Sequence, residues 1–155
     1  MADFSTDIVI IGAGVIGLAI ARTLSEKGRE LLIVEELSEF GKITSSRNSG
    51  VIHAGIYYPE NSLKAKMCVE GNNLLYNYCK KYSIPFKNTK KILVASNEKQ
   101  IEIIDNIKIQ AEKNGVQNIE KISSSQALKL EPLISCKEAL LVHSSGIIDS
   151  YSFMN

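Results

Sequence analysis

The sequence predicts an α/β fold: a parallel strand–helix–strand unit at the N-terminus, followed by the start of an α+β domain. Three observations predict it. A β-branched apolar run, Asp7-Ile-Val-Ile-Ile-Gly12, leads directly into a glycine-spaced turn. An amphipathic segment and a second apolar run, ending at Glu35-Glu36, follow within the ~30 residues that a tight βαβ unit needs. Beyond residue 88 the pattern changes to short apolar runs alternating with amphipathic stretches.

Each element has its own reason. The run 7–12 is apolar on both faces, as expected of a strand buried in a parallel sheet. Residues 15–27 read as a helix with Leu18, Ala19, Ala21 and Leu24 toward the sheet and Gly28 as its stop. Leu31–Val34 is a second buried strand. The stretch 41–50 is too rich in Ser, Thr and Asn for an unaided regular element. Residues 51–58 are apolar and aromatic, interrupted by His53 and Gly55 and closed by Pro59. Ser62 can cap a helix to Tyr82, in which Leu74, Leu75 and Tyr78 recur at helical spacing before Pro85.

The remainder reads as a strand at 91–95 and a helix at 98–114 with Ile103, Ile104, Ile107 and Ala111 on one face. A short helix at 126–130 runs into Pro132, a strand covers 139–143, and Gly146-Ile-Ile-Asp149 follows. The expected division is 1–88 for the N-terminal domain and 89–150 for the start of the second.

Composition narrows the function classes. A net charge of +1 with interspersed signs lacks the basic stripe of a nucleic-acid binder. Cys68, Cys79 and Cys136 form no CxxC and no zinc-ligand spacing; Cys68 and Cys79 fall about three turns apart on one helix, too far to bridge. Free thiols suit a reducing compartment, read as the cytoplasm, with peripheral attachment to the inner membrane left open. The apolar run 8–20 is too short to span a bilayer, and Asp3 and Asp7 stand where a signal peptide carries positive charge.

Gly12-Ala13-Gly14-Val15-Ile16-Gly17 matches G-x-G-x-x-G between a strand and a helix, the context that gives the motif meaning. Gly12 permits the turn, Gly14 lets backbone approach a pyrophosphate, and Gly17 lets the helix lie close on the strand. The helix N-terminus then offers N–H groups and partial positive charge. Glu35 ends the second strand about 20 residues on, where a carboxylate accepts from a ribose 2′-hydroxyl and repels the 2′-phosphate of NADP. Glu36 reads as a solvated neighbour. The unit is Rossmann-like, and position selects FAD: it opens the chain, and a polar loop follows in place of a second βα unit. Thr44, Ser45, Asn48, Ser49, Gly50 and Val51 of that loop are the further cofactor-binding candidates.

The run Arg47-Asn-Ser-Gly-Val-Ile-His-Ala-Gly-Ile-Tyr-Tyr58, then Ser62-Leu-Lys-Ala-Lys66, resembles the L-2-hydroxyglutarate dehydrogenase/oxidase family of the D-amino-acid oxidase-like group. Leu130-Glu-Pro132 and Gly146-Ile-Ile-Asp149 resemble it too. The resemblance implies FAD-dependent oxidation of a small 2-hydroxy acid, L-2-hydroxyglutarate to 2-oxoglutarate, with electrons passing to a quinone or oxygen. It implies proximity of His53 to the flavin. A histidine titrating near neutrality suits the base that takes the hydroxyl proton, against the readings of flavin contact or loop brace.

Tyr57, Tyr58 and Lys66 could contact a dicarboxylate, although core or surface roles weigh more. Arg47 divides evenly between a phosphate contact and a solvated position, and His143 reads as structural. Members of the family return to the FAD domain after the substrate domain, so the chain is expected to be the N-terminal part of a longer enzyme. The alternatives are a glycerol-3-phosphate dehydrogenase or amino-acid oxidase relative, and a non-catalytic dinucleotide-binding remnant.

Overall fold

Ile8–Ile11 (β1) and Leu31–Val34 (β2) pair in parallel, Ile8 opposite Leu31 through Ile11 opposite Val34, in the computed structural model, which describes residues 5–155. Asp3 lies outside the described residues. Val15–Ser25 (α1) makes the crossover. The helix ends two residues earlier than its pattern suggests. There the Gly28 N–H donates to Ser25 and the Arg29 N–H to Leu24, with Gly28 at φ +72°. The expectation of strands buried on both faces is corrected: burial alternates along β1 and β2, leaving Val9 54% and Ile11 88% exposed. The sheet has two strands with α1 packed on one face, so every second side chain points away from it. On α1, Ala21 is buried while Ala19 is exposed.

The chain divides into two packing units. One comprises the described residues up to Gly50 together with Asp149–Asn155; the other comprises Val51–Ile148. The first also holds a short 3-10 turn, Thr44–Ser46, and a terminal helix Ser150–Met154 whose N-cap Asp149 accepts from the Tyr151 and Ser152 amides.

The second unit carries two antiparallel sheets. Val51–Ile52 (β3) and Phe86–Lys87 (β4) flank Gly146–Ile148 (β8). Lys91–Ala95 (β5) and Ile119–Ser123 (β6) flank Glu138–Val142 (β7). The central strand β7 is the hub of the core. Its Leu140 and Val142 pack with Ile104 and Ala111 of the helix Glu98–Lys113 (α3). Its Ala139 and Leu141 pack with Ala127 of Ser124–Leu130 (α4). Alternation on one strand therefore feeds two helices.

Leu63–Tyr82 (α2) is the long helix that the pattern predicts, and the Ser62 hydroxyl accepts the Ala65 N–H at 3.1 Å. Its buried line runs through Ala65, Asn72 and Cys79, while Leu74 is exposed. On α3 the buried face runs through Ile104 and Ala111, and Ile103, one residue off that line, is 55% exposed.

Candidate functional site

Gly12 takes φ +97°, a conformation that any side chain would strain, and its N–H donates to the Val34 carbonyl. This turns the chain from β1 onto α1. A Cβ at Gly17 would collide with the Gly12 carbonyl oxygen, so only glycine lets the helix start this close to the strand. Gly14 is the N-cap of α1, with no side-chain cap of its own, and the first turn holds no acidic residue. A Cβ at Gly14 would sit 3.1 Å from Ser45 Oγ.

The Glu35 carboxylate accepts the Ala13 N–H at 2.7 Å and the Leu37 N–H at 3.1 Å. Those amides, Ala13 first, hold its carboxyl below the usual carboxylate range. Two oxygens offer about four lone-pair positions, so capacity remains to accept from a ribose. Ser45 Oγ accepts the Val15 N–H at 2.9 Å. The polar loop is thereby laced to the helix start.

These groups line one cleft of about 450 Å³. It brings together Gly12, Gly14, Glu35, Thr44 and Ser45 from the predicted set. Ala13 and Val15 reach the same place through their amides. Gly17 acts from beneath as a packing contact, and Ile16 is 71% exposed. Asn48 holds its own loop, donating to the Ser45 carbonyl and accepting the Gly50 N–H, both at 2.7 Å. Ser49 is exposed, and Val51 opens β3 in the other unit. Glu36, Gly41, Lys42 and Ile43 line the cleft as well, and sequence reasoning did not pick them. Gly41 joins because its N–H donates to the Ala13 carbonyl, a pairing with no sequence signature. An uncapped, acid-free helix start, a turn that side chains would fill, and an acceptor at the end of β2 fit the adenosine diphosphate part of FAD.

His53 follows β3 in the second unit, with its residue exposed and its backbone fixed. The buried Asn72 of α2 donates to the His53 carbonyl at 3.0 Å and to the Ser144 carbonyl at 2.9 Å. Further along, Asn114 donates to the carbonyls of Gly55 and Tyr58 at 3.1 and 2.8 Å. Partial burial, then Lys91 and Lys64, push the His53 pKa below its ordinary value, which favours the neutral ring. Neither asparagine was a candidate from sequence, since a lone amide on a helix reads as surface.

Lys66 and Arg47 are exposed, and Tyr57 is 51% exposed. His143, in the turn just after β7, pairs with Glu120 of the neighbouring strand β6 at 2.8 Å.

A family model described as FAD dependent oxidoreductase matches residues 7–155. The chain is 51% identical over 154 residues to an L-2-hydroxyglutarate dehydrogenase, mitochondrial, of Arabidopsis thaliana, covering 99% of this chain and 32% of that protein. It is 33% identical over 144 residues to an L-2-hydroxyglutarate dehydrogenase of Indibacter alkaliphilus, covering 92% and 36%. The chain thus spans about a third of the length of the curated relatives it matches. Among solved structures, FAD-bound L-alpha-glycerophosphate oxidase from Mycoplasma pneumoniae superimposes with a TM-score of 0.89 at 32% identity, over 96% of this chain and 40% of that one. L-proline dehydrogenase from P. horikoshii shares the fold at TM-score 0.81 and 21% identity, over 97% and 40%.

Proposed function

This chain belongs to the FAD dependent oxidoreductase family, and from that premise we propose that it forms part of an enzyme oxidising L-2-hydroxyglutarate to 2-oxoglutarate. The observation that carries the substrate is the 51% identity to the plant L-2-hydroxyglutarate dehydrogenase along 99% of this chain. In this reading residues 1–88 serve as the N-terminal part of the FAD-binding domain and 89–150 as the start of the substrate-binding domain. That is a division by role, and the packing units are bounded differently.

Gly12, Ala13, Gly14, Val15, Ile16 and Gly17 present backbone to the pyrophosphate. Glu35 accepts from the ribose, and the loop through Thr44, Ser45, Asn48, Ser49, Gly50 and Val51 continues along the cofactor. Bound FAD supplies the acceptor for the hydride that leaves the substrate's Cα. His53 takes the hydroxyl proton as the C–H bond breaks and the C=O bond forms. Its neutral ring, favoured by burial and two nearby cations, supports that role. A quinone or oxygen would serve as the final electron acceptor.

A quinone acceptor would bring the enzyme from the cytoplasm to the inner-membrane surface. Among the described residues no helix is long and apolar enough to cross a membrane. The Arabidopsis relative carries "mitochondrial" in its name, and the Indibacter relative does not.

Similarity to the glycerophosphate oxidase at 32% identity favours a second reading, oxidation of a phosphorylated polyol. Anaerobic mixing of the flavin-loaded enzyme with L-2-hydroxyglutarate, L-glycerol 3-phosphate and amino acids separates the two. L-2-hydroxyglutarate is expected to bleach the flavin fastest, and bleaching by glycerol 3-phosphate or an amino acid alone would overturn the assignment.

A further inference from the structure

The segment from His53 to Tyr58 is pinned at both ends. Asn72 holds the His53 carbonyl, and Asn114 holds those of Gly55 and Tyr58. His53, Tyr57 and Tyr58 are therefore presented from one fixed piece of backbone. Two lysines from different elements close on it. Lys64, in the first turn of α2, places its ammonium 4.6 Å from the centre of the Tyr58 ring. Lys91, the first residue of β5, places its ammonium 5.6 Å from the centre of the Tyr57 ring.

Neither lysine has a carboxylate within ion-pair distance among the described residues. Glu60, the acid closest to Lys64 in sequence, sits 3.8 Å from Lys113 instead. An aromatic face orients an ammonium without neutralising it, so both cations keep the capacity to bind an anion.

We propose that Lys64 and Lys91, each seated on a tyrosine of the His53 segment, form the subsite for the second carboxylate of a dicarboxylic 2-hydroxy acid. This rests on the functional reading above and deepens it. The hydroxyl-bearing end of the substrate lies toward His53 and the distal carboxylate toward the two ammonium groups. After burial, both lysines also lower the His53 pKa, in keeping with their place beside its segment. The subsite selects dicarboxylates over 2-hydroxy acids with an apolar tail, because an apolar tail leaves two cations without a counter-charge.

Two measurements test it. In the 155-residue chain, ring-proton NMR follows His53, with His143 as the internal reference since the chain has two histidines. Glutarate should move the His53 signal saturably and butyrate about 10-fold less tightly, with Lys64→Met/Lys91→Met abolishing the difference. Equal responses to glutarate and butyrate, or a glutarate response surviving the double substitution, overturn the subsite. In the flavin-loaded enzyme, the same variant should raise KM for L-2-hydroxyglutarate about 10- to 100-fold. Its preference over L-2-hydroxybutyrate should fall in step, and Lys→Arg at both positions should restore most of it. An unchanged KM in a variant of an enzyme that oxidises L-2-hydroxyglutarate sinks the subsite alone. Failure of the parent enzyme to oxidise any 2-hydroxy acid, with glutarate still bound through the lysines, sinks the functional reading and leaves the dicarboxylate subsite supported.

Discussion

At His53 the backbone carbonyl is held by Asn72 while the residue stays exposed, and the neutral form is favoured by partial burial first and by Lys91 and Lys64 next. A folded pKa below the unfolded one means that the unfolded chain binds the proton more readily, so this group costs stability as pH falls below the ordinary 6.5. In the proposed role of base, His53 would by the same shift stay deprotonated at lower pH. The rate of flavin reduction is therefore predicted to lose its acid limb through a pKa below 6.5, and Lys91→Gln should move that limb upward. An acid limb above 6.5, or one unmoved by Lys91→Gln, would count against His53 as the base. Glu35 has the opposite linkage: its depressed pKa contributes stability that is present above 4.5 and lost as pH falls through the lower folded value.

At the scale of elements, two joints hold the backbone of the proposed site residues. The first is the turn from β1 to α1. Gly17→Ala is predicted to push the helix start off the Gly12 carbonyl and to weaken FAD retention far more than it weakens folding. Flavin absorbance per protein after gel filtration reads this, and full retention would contradict the close-packing account. The second joint is Asn72, whose side-chain amide bridges α2, the His53 segment and the residues after β7. Asn72→Leu should cost about 1–3 kcal/mol by stranding carbonyl acceptors. That loss is measured as a lower denaturation midpoint at unchanged slope.

Much of this was legible beforehand. The strands β1, β2 and β5 and the helices α1, α2 and α3 announce themselves by period, cap and glycine stop. β6 does not, because in Ile119-Glu-Lys-Ile-Ser123 the buried residues are three apart and the middle pair is charged. It is a strand because β7 offers a central partner. β3 and β4 are two residues each and exist only through pairing with β8. Lys64 and Lys91 stand far apart in sequence, and only tertiary structure places them against neighbouring tyrosines. Lys66, which sequence reasoning preferred to Lys64, is exposed without such a contact.

For the whole molecule, the chain carries the glycine turn in one packing unit and the His53 segment in the other, and spans about a third of the length of its curated relatives. The face of β1 and β2 away from α1 shows Val9, Ile11, Leu32 and Val34 at 54, 88, 38 and 46% exposure, a contiguous exposed apolar patch. The proposed division of labour gives the first unit the cofactor's dinucleotide and His53 the proton. Replacing the base should then spare the flavin and slow the chemistry.

The most direct test is anaerobic single-turnover reduction of flavin-loaded His53→Ala enzyme by L-2-hydroxyglutarate. The proposed role of His53 as the base requires full flavin content and reduction slowed by about 10²–10⁴-fold relative to the parent. Reduction at the parent rate would contradict it.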